Sequence, residues 1–161
     1  MNKKMMIIML ITVLSVIITA CSGNNAPTVE SKLTAKEMAD QMFKEVEQPN
    51  LMELTDEDVK TIYNVDVTKL EDYQIRIPVM NVHSNELAIV KVKDAKDIAE
   101  IEAAFKARAE AAQKPFEMYL PDQYENAKNY KLITKGNYVM MVISDKADEL
   151  VKVYEGFFAE K

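Results

Sequence analysis

The sequence predicts an α+β fold: two N-terminal helices, then the order β-β-α-β-β-α, with a four-stranded antiparallel sheet and helices packed on one face. Three observations carry this. Thr34-Ala35-Lys36-Glu37 is a capping box, and the same grammar returns at Thr55 ahead of Asp56, Glu57 and Asp58. The apolar period drops from helical spacing to alternation at Tyr73, and strand-like runs return after Asn129. Three glycines set against plentiful Ala, Glu and Lys give helices a large share of the chain.

Leu33 can staple to Met38 at the start of the first helix, where Met38, Met42 and Val46 recur every fourth residue beside Ala39 and Phe43; Pro49 requires it to end. In the second, Asp56 to Asp58 suit the helix dipole, Leu54 faces Val59, and Ile62 and Tyr63 complete the apolar side. That acidic start lacks the spaced oxygen ligands and central glycine of a calcium loop. Tyr73, Ile75, Ile77 and Val79 then alternate with Gln74, Arg76, Pro78 and Met80, a half-buried strand that Pro78 places at an edge because proline cannot donate to a ladder. Residues 81–85 turn the chain, and Leu87–Val92 returns as a more fully buried strand.

Asp94–Lys114 is the strongest helix, with an acidic start, apolar Ile98, Ile101 and Phe105, eight alanines, and pairs Glu102–Lys106 and Glu110–Lys114; Pro115 stops it. Phe116–Asn129 is predicted as a loop with one helical turn near Pro121. A second hairpin joins Tyr130–Thr134 to Tyr138–Ile143 through Lys135-Gly136-Asn137. Ser144 or Asp145 caps the last helix, whose apolar face is Leu150, Val153, Tyr154, Phe157 and Phe158. Leu87–Val92 with its helix is echoed by Val139–Ser144 with Leu150, Val153 and Phe157, a match that amphipathic periodicity alone produces.

Ahead of the domain, Lys3 and Lys4 precede an apolar run from Met5 to Ala20, too short for a bilayer span of about 20 residues and matched to a signal-peptide core. The tetrad Ile18-Thr19-Ala20-Cys21 resembles the lipobox of bacterial lipoproteins. That resemblance implies cleavage before Cys21 and a diacylglyceryl group, carrying palmitate-like chains, on its sulfur. Two chains anchor stably where one is marginal. The expected organisation is therefore 1–20 cleaved signal, 21–33 lipidated cysteine and flexible tether, and 34–161 a single α+β domain. The expected location is the extracytoplasmic face of a cell membrane.

Removing residues 1–20, which hold two lysines and no acid, takes the formal charge from −6 to −8. That sign argues against nucleic acid as a partner. Cys21 is the sole cysteine, so an internal disulfide is excluded, and the sole histidine, His83, cannot build a multi-histidine metal site or a His-based dyad with a second imidazole. No nucleophile elbow, phosphate loop or dinucleotide fingerprint occurs. No catalytic residue, cofactor or metal is expected. The candidate binding residues are Tyr119, Tyr124 and Tyr130, which cluster with Asp122 and Glu125 in a loop, together with Arg76 on the outward face of its strand and His83 in a turn. Each has a plainer role: loop aromatics that pin a connection, an arginine that protects an edge, a solvated turn histidine.

The stretch ending Phe105-Lys106-Ala107-Arg108, the segment Phe116-Glu117-Met118-Tyr119-Leu120-Pro121 with Tyr124, and the Gly136-Asn137-Tyr138-Val139 turn resemble an uncharacterised family of small bacterial lipoproteins, the domain of unknown function numbered 4358. The resemblance implies a surface lipoprotein and transfers no activity or site residues. The expectation is a non-enzymatic module that binds an envelope protein or small ligand; the alternative is a small envelope hydrolase using acidic residues, whose carboxylate pair would need a measured separation in space.

Overall fold

The computed structural model describes residues 29–158, so the signal segment and Cys21 lie outside the described residues. Both threonine boxes form as spelled. Thr34 Oγ1 accepts from the Glu37 amide at 3.2 Å while Glu37 accepts from the Thr34 amide at 2.8 Å, opening α1, Ala35–Glu45. Thr55 and Asp58 repeat the exchange at the head of α2, Asp56–Tyr63, which stops at Asn64 in the left-handed region that Asn tolerates.

Between them lies a strand too short for any periodicity to announce, β1, Leu51–Glu53. A 3₁₀ turn at Val67–Lys69 leads into β2, Leu70–Pro78, and β3 is Glu86–Val92. A second 3₁₀ turn precedes α3, Ile98–Gln113. The connection after it is more helical than expected: α4 runs Pro121–Lys128, with proline at its first turn where no amide partner is needed. β4, Lys131–Lys135, and β5, Tyr138–Ile143, meet at Gly136-Asn137, with Gly136 at φ +54°. α5, Ala147–Gly156, closes the described chain. Its N-cap is Lys146, one residue beyond the expected Ser144 or Asp145, and no side chain caps it; Ser144 Oγ accepts from Lys146 N at 3.0 Å and the Ser144 carbonyl from Ala147 N at 3.2 Å.

The strands form one antiparallel sheet in the order β1-β2-β3-β5-β4, five strands where four were predicted. β2 is therefore internal: Leu51 pairs with Pro78 and Glu53 with Arg76, and Pro78 is tolerated because it ends the strand. Helices cover both faces, not one. Ala88, Val90, Val139 and Met141 face a core built with α2 and α3, whereas Leu87, Ile89, Met140 and Val142 face a second core built with α1 and α5. β5 is buried at every residue, as a strand must be when both its faces are roofed. The echo between the β3–α3 and β5–α5 units does not mark equivalent positions, since Ile98 packs against one core and its counterpart Leu150 lies in the other.

Candidate functional site

Arg76, expected to face outward, is buried at 8% exposure. The alternate face of β2 that carries Gln74 and Arg76 is roofed by α1. The Arg76 guanidinium pairs with Asp40 and with Glu53 Oε1 at 3.2 Å, and it sits 5.3 Å from the centre of the Phe43 ring. That hydrogen bond holds the Asp40 carboxyl below the usual carboxylate range. Asp72, also on β2, accepts from Ala35 N at 2.6 Å, so one strand fixes both the start and the middle of α1. Arg76 is thus spent on the fold.

At the end of the sheet where β3 begins, which we call the apex, the structure gathers Ser84, Asn85, Glu86 and Ser144, all buried. Gln48 Oε1 accepts from Asn85 Nδ2 at 3.2 Å and Ser144 Oγ at 3.0 Å, locking the α1–β1 connection to the ends of β3 and β5. Gln123 Oε1 accepts from Ser84 N at 2.9 Å and Ser84 Oγ at 3.1 Å, tying the β2–β3 loop to α4. Glu86 takes Tyr63 Oη at 2.8 Å and both Nε and Nη2 of Arg108. Burial works against the Arg108 charge, but the bonds and charge of Glu86 outweigh it and raise the pKa. Burial and then the Glu86 charge push the Tyr63 phenol well above its ordinary value. Sequence reasoning passed over this network. Its only trace is an unbroken polar triplet, Ser84-Asn85-Glu86, leading directly into an apolar strand.

The segments that carry the polar network also carry exposed apolar side chains. Val79, Met80 and Val82 are exposed in the β2–β3 loop, and Met118 and Tyr119 stand exposed at 88% and 67% in the connection to α4. The loop from Val79 to Asn85 holds no Asp, Glu, Lys or Arg in a chain of net charge −6, and His83 lies half-buried within it. The three tyrosines part company. Tyr119 is exposed, Tyr124 is half-buried with Lys128 Nζ 5.8 Å from its ring, and Tyr130 packs against the α3 core. Tyr130 is therefore an anchor of the connection, as its plainer role had it.

The chain arrives at the opposite end. Val29 lies against Gly136, where an added Cβ would meet Val29 Cβ at 3.0 Å, and Glu30 binds Lys91 Nζ at 3.0 Å and Tyr138 Oη at 3.2 Å. Glu86 at the apex and Val92 beside this end are separated by about 20 Å of strand.

Two concavities flank the α1 layer. A cleft of about 540 Å³ is shaped by residues 43–51, including Phe43 and Gln48, and a groove of about 1010 Å³ lies between α1, α5 and residues 30–33. Glu30, Glu45 and Glu149 line the groove, but Glu30 is committed to Lys91 and Tyr138, and Glu45 accepts from Gln41 Nε2 at 3.2 Å. Among the described residues no group of three or more His, Cys, Asp or Glu could hold a metal ion, and no helix is long and apolar enough to cross a membrane.

These features define an α+β domain of three layers whose buried charged and polar side chains are largely engaged in holding its own elements together, with a loop that exposes Val79, Met80 and Val82 at one end. The chain belongs to the family described as Domain of unknown function (DUF4358), whose model matches residues 44–144. α1 lies almost wholly before that match and α5 wholly after it, so the matched part is the sheet with one helical layer. No curated protein and no solved structure gives a significant match to the chain.

Proposed function

We propose that the chain is a lipid-anchored lipoprotein of the cell envelope, held to the membrane through a diacylglyceryl group on Cys21, and that it binds a partner protein through its apex without performing chemistry. The observation that carries the binding reading is the exposed set Val79, Met80, Val82, Met118 and Tyr119 in segments that also carry a buried, hydrogen-bonded network. Exposed apolar side chains gathered in two tied loops mark interaction surfaces more often than chance scatter does, and a fixed foundation lowers the ordering cost of binding. The anchor reading is supported by the lipobox-like tetrad at Cys21, and the first described residues, Val29 and Glu30, lie at the end remote from the apex. In the groove between α1 and α5, Glu30 and Glu45 are engaged within the domain, which favours the binding reading over the acidic-hydrolase one there.

Cross-linking on intact cells, followed by isolation of the protein, tests the binding reading. A discrete partner should be captured by the native chain and lost with Met80→Asp or Tyr119→Ala; capture that is unchanged in both would overturn the assignment of the apex. Cys21→Ala should abolish incorporation of a fatty-acid analogue and release the protein from membranes, and retention of label would refute the anchor.

A further inference from the structure

We propose that Met80 and Met118 at the apex are sites of sulfoxidation by hydroperoxides, and that this modification turns the apolar surface polar and releases its partner. The release rests on the apex reading; the choice of sites rests on burial alone. The described methionines fall into two sets. Met118, Met80 and Met52 are 88%, 59% and 47% exposed, whereas Met38 and Met42 of α1 and Met140 and Met141 of β5 are fully buried. A peroxide must reach the sulfur to react, so the native fold offers it the first set and withholds the second.

The chemistry is a two-electron oxygen transfer. The thioether sulfur attacks the distal oxygen of the hydroperoxide, the S–O bond forms as the O–O bond breaks, and the proton of that oxygen passes to the departing alkoxide. Sulfur is oxidised to the sulfoxide and the peroxide is reduced to an alcohol, or to water where hydrogen peroxide is the donor. A flexible apolar side chain thereby becomes a polar one. A partner shaped to cover a thioether must then desolvate the new oxygen with no donor built to meet it, which disfavours the complex. The fold does not share that cost. Neither sulfur belongs to a core cluster, and the two segments stay tied through Gln123 Oε1, which accepts from Ser84 N and Ser84 Oγ. Cys21 is the sole cysteine, so an intramolecular disulfide cannot carry a redox response in this chain. Thiol-dependent sulfoxide reductases reverse the step, two thiols removing the oxygen as water and ending as a disulfide.

The test treats the full chain in its own membranes with graded hydrogen peroxide, maps sulfoxide at each methionine by mass spectrometry, and repeats the cross-linking on intact cells. Met118 and Met80 should convert several-fold ahead of Met38, Met42, Met140 and Met141, with the melting temperature unchanged at the dose that converts them. That dose should lower partner capture several-fold. A chain carrying Met80→Leu and Met118→Leu, whatever its untreated capture, should lose none of it to peroxide, while Met52→Leu should lose as much as the native chain. If the double variant captures nothing, the two single variants decide, each losing less than the native chain. Core methionines that oxidise as fast, capture that survives full conversion of Met80 and Met118, or a loss in the leucine variants equal to the native one overturns the proposal. Capture indifferent to Met80→Asp before any peroxide refutes the apex and the switch together; capture lost in Met80→Asp yet insensitive to peroxide refutes the switch alone.

Discussion

Arg108 closes on both carboxylate oxygens of Glu86, its Nε donating to Oε2 at 2.9 Å while Nη2 donates to Oε1. Glu86 is the first residue of β3 and Arg108 lies on α3, so the pair pins a helix to the start of the central strand. A carboxylate this buried is stabilised only while its partner remains. Arg108→Leu should therefore cost about 3–5 kcal/mol, and Glu86→Leu with Arg108→Leu far less, because no uncompensated charge is left inside. Urea midpoints at constant m-value measure both; a double variant as unstable as the single one would contradict this account.

Two buried tyrosine hydroxyls should respond oppositely to removal. Tyr63 Oη donates to Glu86, whereas Tyr154 Oη is buried with no hydrogen-bond partner among the described residues. Tyr63→Phe should lose about 1.5–3 kcal/mol, the worth of a hydrogen bond to a charged group. Tyr154→Phe keeps its edge-to-face contacts with Phe157 and Phe158 and should leave stability unchanged or improved. Thermal melting of the two variants side by side decides it.

The alkaline limb follows from the same groups. Burial raises the phenols of Tyr63 and Tyr154, and burial with the Asp56 hydrogen bond pushes Tyr73 up to about 12. A raised folded pKa contributes stability that is fully present below the unfolded value of about 10 and is lost as pH rises through the folded one. Tyrosinate absorbance should show Tyr63, Tyr73 and Tyr154 silent through the ordinary range and ionising together with unfolding. Smooth titration of all seven tyrosines before unfolding would be the contrary result.

On the acid side the capping boxes set the trend. Glu37 is lowered by the backbone and then the side chain of Thr34, and Asp58 by the side chain and then the backbone of Thr55. A depressed folded pKa gives stability that is present above the unfolded value and lost as pH falls through the folded one, here below about pH 4.5. Thr34→Val with Thr55→Val should flatten the fall in melting temperature across that window while lowering it at neutral pH. A slope identical to that of the native chain would count against the boxes as its source.

Much of the secondary structure was legible because its causes are local. Thr34 and Thr55 announce their helices through groups three residues away, and Gly136-Asn137 announces its turn. The double burial of the sheet was also written, in the unalternating runs of β3 and β5, but a one-face reading of the helices hid it. β1 left no signal, since three residues hold no period. The site was less legible. Tyr119 stands exposed, as expected of a loop aromatic, whereas Tyr130 and Arg76 were drawn inward by elements far away in sequence.

The sequence alone determined where α1 and α2 start, where strands alternate, the acidic charge, and the single cysteine that limits disulfide chemistry, because each depends on neighbours within a turn or on composition. Only the tertiary structure decided that Arg76 belongs to Asp40 and Glu53, that Glu86 meets Arg108 and Tyr63, and that Val79, Met80, Val82, Met118 and Tyr119 share one end. Those partners are many residues apart along the chain. Their pairing is fixed by strand order and by which face each helix covers, quantities that no local pattern of side chains encodes.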